Sequence, residues 1–313
     1  MNRLTENKIV LVTRRTRLDE LIAKFNTAGQ AKFYVEHAGA DFADYEREHK
    51  AYQTAVEEAT AALGRLGRLQ TIDRAFLPNF VFGAEDTIVV LGQDGLVANT
   101  VKYLAGQLVV GVNPDSARWD GVLLPFAVGD LPRVVPEVFA GRRPVKEVTR
   151  AEARLGDGQT LCAVNDLFIG PRSHVSARYR LRVGSQEERQ SSSGVIVSTG
   201  LGSTGWLKSL LTGATAITNA LTGRKAEADV AGRPTAWDAR HLYFTVREPF
   251  PSKTSAASLV FGRVTADEPL VIQSEMPEHG VIFSDGIEAD FLEFNSGACA
   301  TIRPAERKGR LVV

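Results

Sequence analysis

Apolar and polar positions along the chain change rhythm about halfway. Lys8 to Val12 (KIVLV) form a short, β-branched apolar run that predicts a buried strand, followed by polar TRRTR and the helical spacing of Leu18, Leu21, Ile22 and Phe25. AKFYVE, residues 31–36, reads as a second strand, and the Ala- and Glu-rich stretch from Asp41 to about Leu63 as one long, largely exposed helix. TIVVL (Thr87 to Leu91) predicts a third strand, LVANTVKYL a short helix and QLVVGV a fourth strand. Strands alternating with helices imply an α/β domain, a parallel sheet with helices on its faces, over residues 1–143.

Beyond about Pro144 short β-branched runs follow one another with Gly, Asp and Ser between them: TLCAVNDLFIG, ARYRLRV, GVIVST, LYFTVRE, PLVIQS, GVIFSDG, DFLEF, ACATIRP. They predict a β-rich second domain over residues 144–313, its last segment expected to pack back on the first. One helical patch interrupts it, at WLKSLLTGATAITNALTG.

Composition narrows the class. A chain of 313 residues is long for one domain, and 44% hydrophobic with 24% charged residues is a folding composition. The 37 basic and 37 acidic residues cancel without long runs of either sign, which disfavours nucleic acid and anionic membranes as partners. Cys162 and Cys299 are the only cysteines and stand far apart, so neither a disulfide framework nor a zinc site is expected. The opening MNRLTENKIVLV has no signal-like apolar stretch, and nowhere do 18 apolar residues run together, so a cytoplasmic protein is expected. His37, His49, His174, His241 and His279 are scattered without metal or triad spacing, and no metal-ligand set is nominated.

Five segments carry chemistry. LGQDG (Leu91 to Gly95) follows directly on TIVV, so Gly92, Asp94 and Gly95 fall at the carboxyl edge of a parallel sheet, where such folds bind ligands; Asp-Gly is also an ordinary turn. GVNPDSARWDG (Gly111 to Gly121) again empties a strand into a polar loop, carrying Asn113, Asp115 and Asp120, and on its own reads as turn chemistry. In VNDLFIG the polar pair Asn165 and Asp166 interrupts an apolar strand. Neighbours on a strand face opposite ways, so at least one of the two needs a ligand or an internal partner. SSSGVIVSTGLGSTGW places Thr199, Gly202, Ser203, Thr204 and Trp206 in a run where glycines permit close approach and hydroxyls supply donors, as the phosphates and sugars of a dinucleotide require. IFSDG ends in Asp285 and Gly286, alone an ordinary hairpin turn. The P-loop and the G-x-S-x-G elbow are both missing, which disfavours a P-loop ATPase and a serine hydrolase.

In order and approximate spacing, these segments resemble the NAD kinase family. LGQDG is similar to its GGDG, VGVNPD to its GINxG loop, VNDLFIG to its NE element, VSTGLGSTGW to its TPTGSTAY segment and SDG to its late DG. The likeness spans roughly residues 8 to 300, and NDLFIGPRSHVSARYRLRV, VSTGLGSTGW and FTVREP look closest to the mitochondrial-type branch. The resemblance implies a Rossmann-like first domain and a β-rich second one, with NAD bound between them. It also implies phosphorylation of the adenosine-ribose 2′-hydroxyl with ATP and magnesium, and homodimers or homotetramers. By it Asp94 is the expected general base, Asn165 and Asp166 help hold the dinucleotide, and Thr199, Gly202, Ser203 and Thr204 line its pocket. Trp206 stands where the family has Tyr and would stack on a base.

Phosphoryl transfer asks for positioning and charge neutralisation, and one ionised carboxylate suffices to take the hydroxyl proton. Arg14, Arg15 and Arg17, after the first strand, are placed either to neutralise ATP phosphates or to form a solvated loop. Gln93 replaces the second glycine of GGDG, and Gly200 and Leu201 replace the Pro-Thr of TPTGS. The first change bears on ATP affinity and donor choice. Two rivals remain: a lipid- or sugar-type kinase on the same scaffold, and a catalytically silent NAD(P)-binding protein.

Overall fold

The computed structural model describes residue 6 and residues 8–223 and 235–313. The chain divides into two compact units, Met1–Lys146 with Arg310–Val313, and Glu147–Gly309.

The first unit begins β1 (Lys8–Thr13), α1 (Arg17–Phe25), α2 (Ala28–His37), α3 (Phe42–Leu66), β2 (Arg68–Asp73), β3 (Thr87–Leu91) and α4 (Asp94–Val101). It continues with β4 (Leu108–Asn113), β5 (Phe126–Ala127), α5 (Leu131–Phe139) and β6 (Val145–Val148). The strands order as β2-β1-β3-β4 and then the chain's final strand, described below, and β6; β5 pairs with the carboxyl half of β4. β1 pairs in parallel with β2 and β3, and β3 with β4. Ile9 to Val12 and Ile88 to Leu91 are fully buried, which is why these strands read as continuous apolar runs. The long α3 buries one stripe, Tyr52, Ala55, Ala59 and Leu63, on that sheet.

One sequence expectation is overturned here: residues 31–36 are helical, within α2. Thr27 accepts a hydrogen bond from the Gln30 backbone, giving the helix an N-cap. Ala31 and Val35, four apart, pack with Leu18 and Phe42 of the flanking helices. The alternating aromatic and β-branched look of AKFYVE loses to that i, i+4 burial. The strand beside β1 is β2, drawn from RLQTID.

The second unit contains β7 (Ala151–Leu155), β8 (Thr160–Ala163), β9 (Asp166–Pro171), β10 (Ala177–Val183), β11 (Gln186–Ser192), β12 (Val195–Ser198) and α6 (Trp206–Thr222). β13 (Leu242–Val246), β14 (Phe261–Val264), β15 (Leu270–Ser274), β16 (Gly280–Ser284), β17 (Ile287–Glu293) and β18 (Cys299–Pro304) follow. They form two antiparallel six-stranded sheets, β11-β10-β15-β18-β7-β8 and β14-β13-β12-β9-β16-β17. Their inner faces supply one core that includes Leu167, Ile169, Tyr179, Phe244 and Ile302. The chain then ends in β19 (Gly309–Val312), which pairs in parallel with β4 through Arg310 and Leu311.

Among the described residues no helix is long and apolar enough to cross a membrane.

Candidate functional site

Candidate groups lie in both units, and each set is built by its own local contacts. In the first unit β3 ends at Leu91, and Gly92 carries the ladder one step further by donating its N–H to the Val112 carbonyl at 3.2 Å. Gln93 has extended backbone, and its carbonyl starts α4 by accepting from Leu96 and Val97. Asp94 is the first residue of α4, where the helix dipole favours a carboxylate. Its Oδ1 accepts the Leu123 N–H at 2.7 Å and its Oδ2 the Val122 N–H at 3.3 Å. Gly95, beside it, is exposed.

The loop that supplies those two N–H groups is built by Asn113. Its Oδ1 accepts from Asp115 N–H at 3.0 Å and its Nδ2 donates to the Trp119 carbonyl at 2.9 Å. Gly121 turns that loop at φ +66°, and a Cβ there would press on Asn113 Nδ2 at 2.7 Å. Asn113 therefore shapes the wall against Asp94.

Arg14 is not part of a solvated loop, and its charge is already spoken for. Its guanidinium donates to Glu48 Oε1 at 3.0 Å and lies 4.9 Å from the centre of the Tyr52 ring, and Glu48 is only 4% exposed. Arg17 pairs with Asp44 at 2.7 Å and with Glu48; Arg118 pairs with Asp44 and lies 3.8 Å from Glu48. Hydrogen bonds from Arg118 and Arg17 pull the Asp44 carboxyl down to about 2. Burial pushes Glu48 up, but its bonds to Arg17 and Arg14 hold it below the usual carboxylate range. Arg15 is exposed.

In the second unit a two-residue turn joins β16 to β17. Both its residues have positive φ, +54° at Asp285 and +72° at Gly286, as a type I′ hairpin requires. That turn aims the Asp285 carboxylate at the start of β9. It accepts from three successive backbone N–H groups, Val164 at 3.0 Å, Asn165 at 2.7 Å and Asp166 at 3.2 Å. Asp285 was legible only as a turn residue, and its role as the clamp on the Asn165-Asp166 pair rests on a contact 119 to 121 residues away in sequence.

The clamp continues into the Ser/Thr/Gly run. Thr199 donates its N–H to the Asn165 carbonyl at 2.9 Å and its hydroxyl to the Val164 carbonyl at 2.5 Å, while accepting the Gly202 N–H at 3.1 Å. The Ser203 hydroxyl donates to the Gly200 carbonyl at 2.7 Å and accepts the Thr235 N–H at 3.2 Å. Cβ atoms at Gly202 and Gly200 would stand 2.2 Å from the Asn165 oxygen and 1.9 Å from the Ala236 oxygen. These glycines thus admit the protein's own backbone, and the Thr199 and Ser203 hydroxyls are spent on holding it. Thr204 and Gly205 are exposed.

Asp166 begins β9 beside Ser198 of β12. Its Oδ1 is buried with no hydrogen-bond partner. Burial raises its pKa to about 7; a hydrogen bond to Ser198 opposes that shift and the Asp285 charge adds to it. Asn165 has no side-chain hydrogen bond to any described residue and is partly exposed, which leaves its amide available to a ligand.

Further along the same face of β9, Trp206 opens α6 and stacks on Phe168 at 6.1 Å with 9° between the rings. Phe168, Phe283, Phe291, Trp206, Arg172 and Arg247 line a pocket of about 570 Å³. Arg172 lies 3.6 Å from the Phe291 ring centre and Arg247 5.4 Å from that of Trp206. Aromatic faces with guanidiniums beside them suit a planar heterocycle carrying phosphate.

Magnesium was implied for a phosphoryl donor. Among the described residues no three His, Cys, Asp or Glu side chains gather as a metal cage. That is compatible with this ion, which is usually held by one or two carboxylates together with substrate phosphates.

Comparison with known proteins bears on these sites. No protein-family model matches the chain. An NAD kinase of Symbiobacterium thermophilum is 34% identical over 155 residues, 47% of this chain and 52% of that protein, so the similarity spans about half of the curated relative. Among solved structures, yeast NADH kinase complexed with NADH aligns over 99% of this chain and 84% of its own, with a TM-score of 0.59 and 16% identity. An NAD kinase from Archaeoglobus fulgidus in complex with ATP aligns over 98% of this chain and 93% of its own, with a TM-score of 0.56 and 17% identity. The fold of those enzymes is the fold of this chain.

Proposed function

We propose, from its similarity to an NAD kinase over 155 residues and the likeness of nearly its whole fold to NAD(H) kinases, that the chain transfers the γ-phosphoryl group of ATP to the adenosine-ribose 2′-hydroxyl of NAD, giving NADP and ADP. The observation that carries the chemistry is the setting of Asp94. Two backbone N–H groups fix its carboxylate at the carboxyl end of β3 and occupy only part of its acceptor capacity, since a carboxylate offers about four lone-pair sites. A remaining site can take the proton of the 2′-hydroxyl as the new P–O bond forms.

In this reading Gly92 and Gly95 flank the base, and the loop of Asn113 walls it. Asn165 and Asp166 hold the dinucleotide on the strand start that Asp285 clamps, with Thr199, Gly202 and Ser203 bracing the backbone of that cradle and Thr204 exposed beside them. Trp206 offers a ring for a base. Arg14 serves the phosphates indirectly, by building the charged cluster from which the more exposed Arg17 can turn outward. Magnesium, when it arrives with ATP, neutralises phosphate charge. The protein works in this reading in the cytoplasm, as a homodimer or homotetramer.

The test is direct. Purified protein is incubated with ATP, magnesium and NAD, and NADP is read by a coupling dehydrogenase specific for it. A signal that needs both substrates supports the reading, and NADH and polyphosphate are then tried in their places. NADP binding without ATP-dependent turnover would replace it with a silent binder, with Gln93→Gly as the first reversion to make.

A further inference from the structure

The cluster on α3 is connected to Asp94 from two sides. In front of Asp94, Glu48 holds the Arg14 side chain, and the Arg14 backbone N–H donates to the Tyr52 hydroxyl at 2.9 Å. That hydroxyl donates in turn to the Leu91 carbonyl at 2.9 Å, three residues before Asp94. Burial pushes the Tyr52 phenol to about 12, so it stays a donor across the working pH range. Behind Asp94, Asp44 and Glu48 hold Arg118. Arg118 sits in the turn closed by its own N–H and that of Trp119 on the Asp115 carbonyl. The same loop, tied at Trp119 by Asn113, runs on to Val122 and Leu123, the two donors to Asp94.

We propose that Glu48 is a positioning residue for Asp94, fixing the carboxylate through a Tyr52 arm on the β3 side and an Arg118 arm on the loop side. The proposal rests on Asp94 being the base of the reaction given above. Glu48 is suited to the part because it is a buried carboxylate shared among three guanidiniums, Arg14 and Arg17 on either side of the start of α1 and Arg118 in the loop after β4. Removing its charge leaves Arg14 without its ion-pair partner and Arg17 and Arg118 held by Asp44 alone, so the Arg14 segment loses its tie to the loop of Arg118. A displacement of about 1 Å at a reacting group costs on the order of 100-fold in rate.

The test uses the full chain as wild type, Glu48→Gln, Tyr52→Phe and Asp94→Asn, with each of the first two also combined with the third. Hydrogen exchange read by mass spectrometry is expected to show lost protection in Glu48→Gln for segments covering residues 91–97 and 118–124, with residues 160–200 unchanged. Unchanged exchange at both segments overturns the proposal, and this readout stands even if wild type makes no NADP, an outcome that would remove the reaction and not the positioning. In the NADP assay Glu48→Gln is expected to lower kcat roughly 10- to 100-fold with KM for NAD and ATP little changed. In the Asp94→Asn background the same substitution should add less than about twofold, because both act on one group. An equal loss in both backgrounds, or a raised KM for ATP with kcat kept, overturns it. If Glu48→Gln does not fold, Tyr52→Phe carries the same comparison for the β3 arm, and full additivity with Asp94→Asn overturns the proposal there.

Discussion

The Asp285 carboxylate accepts the Asn165 backbone N–H at 2.7 Å, joining a hairpin turn to a strand start 120 residues earlier. The same carboxylate serves Val164 and Asp166, so its removal orphans three donors at once. Asp285→Ala is expected to destabilise the chain by about 2–4 kcal/mol, from unsatisfied N–H groups at roughly 1–3 kcal/mol each with partial rescue by water. Dinucleotide binding should weaken alongside. Denaturant unfolding and calorimetry with NADP check both; unchanged stability would show that the clamp contributes nothing.

Replacing Asp94 by Asn keeps the size of the side chain and its bond to Leu123 N–H but removes the proton acceptor. Turnover should fall about 10²- to 10⁴-fold while NAD binding, assigned in the proposed reading to Asn165 and Asp166, persists. Steady-state kinetics with a parallel binding titration decide it, and wild-type turnover in this variant would remove Asp94 from the mechanism.

Asp166 ties stability to pH. Its folded pKa of about 7 is raised above the unfolded aspartate value, so its contribution is fully present below about pH 4 and is lost as pH rises through 7. Asp166→Asn should therefore be more stable than wild type at pH 8, by about 1 kcal/mol or more, with the gap closing towards pH 4. Thermal melts across that range test the sign.

The Asp44-Glu48 cluster has the opposite dependence. Arg118 and Arg17 hold Asp44 at about 2, and Glu48 is lowered as well. Their stabilisation is present above the unfolded carboxylate values near pH 4 and fades as pH falls towards 2. Charge-neutral Asp44→Asn should lose part of the acid dependence of unfolding between pH 4 and 2, read from melts of both proteins.

Gly202→Ala should disrupt the Ser/Thr/Gly run, because its Cβ would stand 2.2 Å from the Asn165 carbonyl oxygen, a backbone atom with no freedom to swing away. A loss of about 1–3 kcal/mol in stability is expected, as for other overpacked sites, together with weaker NADP binding.

Much of this was readable from residue order. β1, β3 and β4 announce themselves as apolar runs because both faces of a parallel sheet are covered, and the strand-to-loop positions of Asp94 and Asn113 followed from them. Asp166 was marked as a polar residue needing a partner or ligand, and its Oδ1 does lack a partner. What could not be read depends on contacts distant in sequence. Nothing local in TRRTR tells that Arg14 meets Glu48 34 residues later, nor anything in GVNPDSARWDG that Arg118 meets Asp44 74 residues away. α2 was missed because its Thr27-Gln30 cap is a weaker signal than the strand-like residues it precedes. The glycines of STGLGSTG suggest a close approach to a ligand, whereas at Gly200 and Gly202 it is the chain's own backbone, at Ala236 and Asn165, that comes close.

The place of β19 has a bearing on how the chain is made. Val109 and Val110 of β4 are wholly buried, and the neighbour that covers that half of β4 is contributed by residues 309–312, about 200 positions further on. On the ribosome, the first sheet must wait until the second unit, Glu147–Gly309, has been made before that edge is closed, leaving a sticky strand bare throughout its synthesis. Premature termination a few codons short of β19 would then yield an aggregating product in which β4 lacks its neighbour and β6 its place in the sheet.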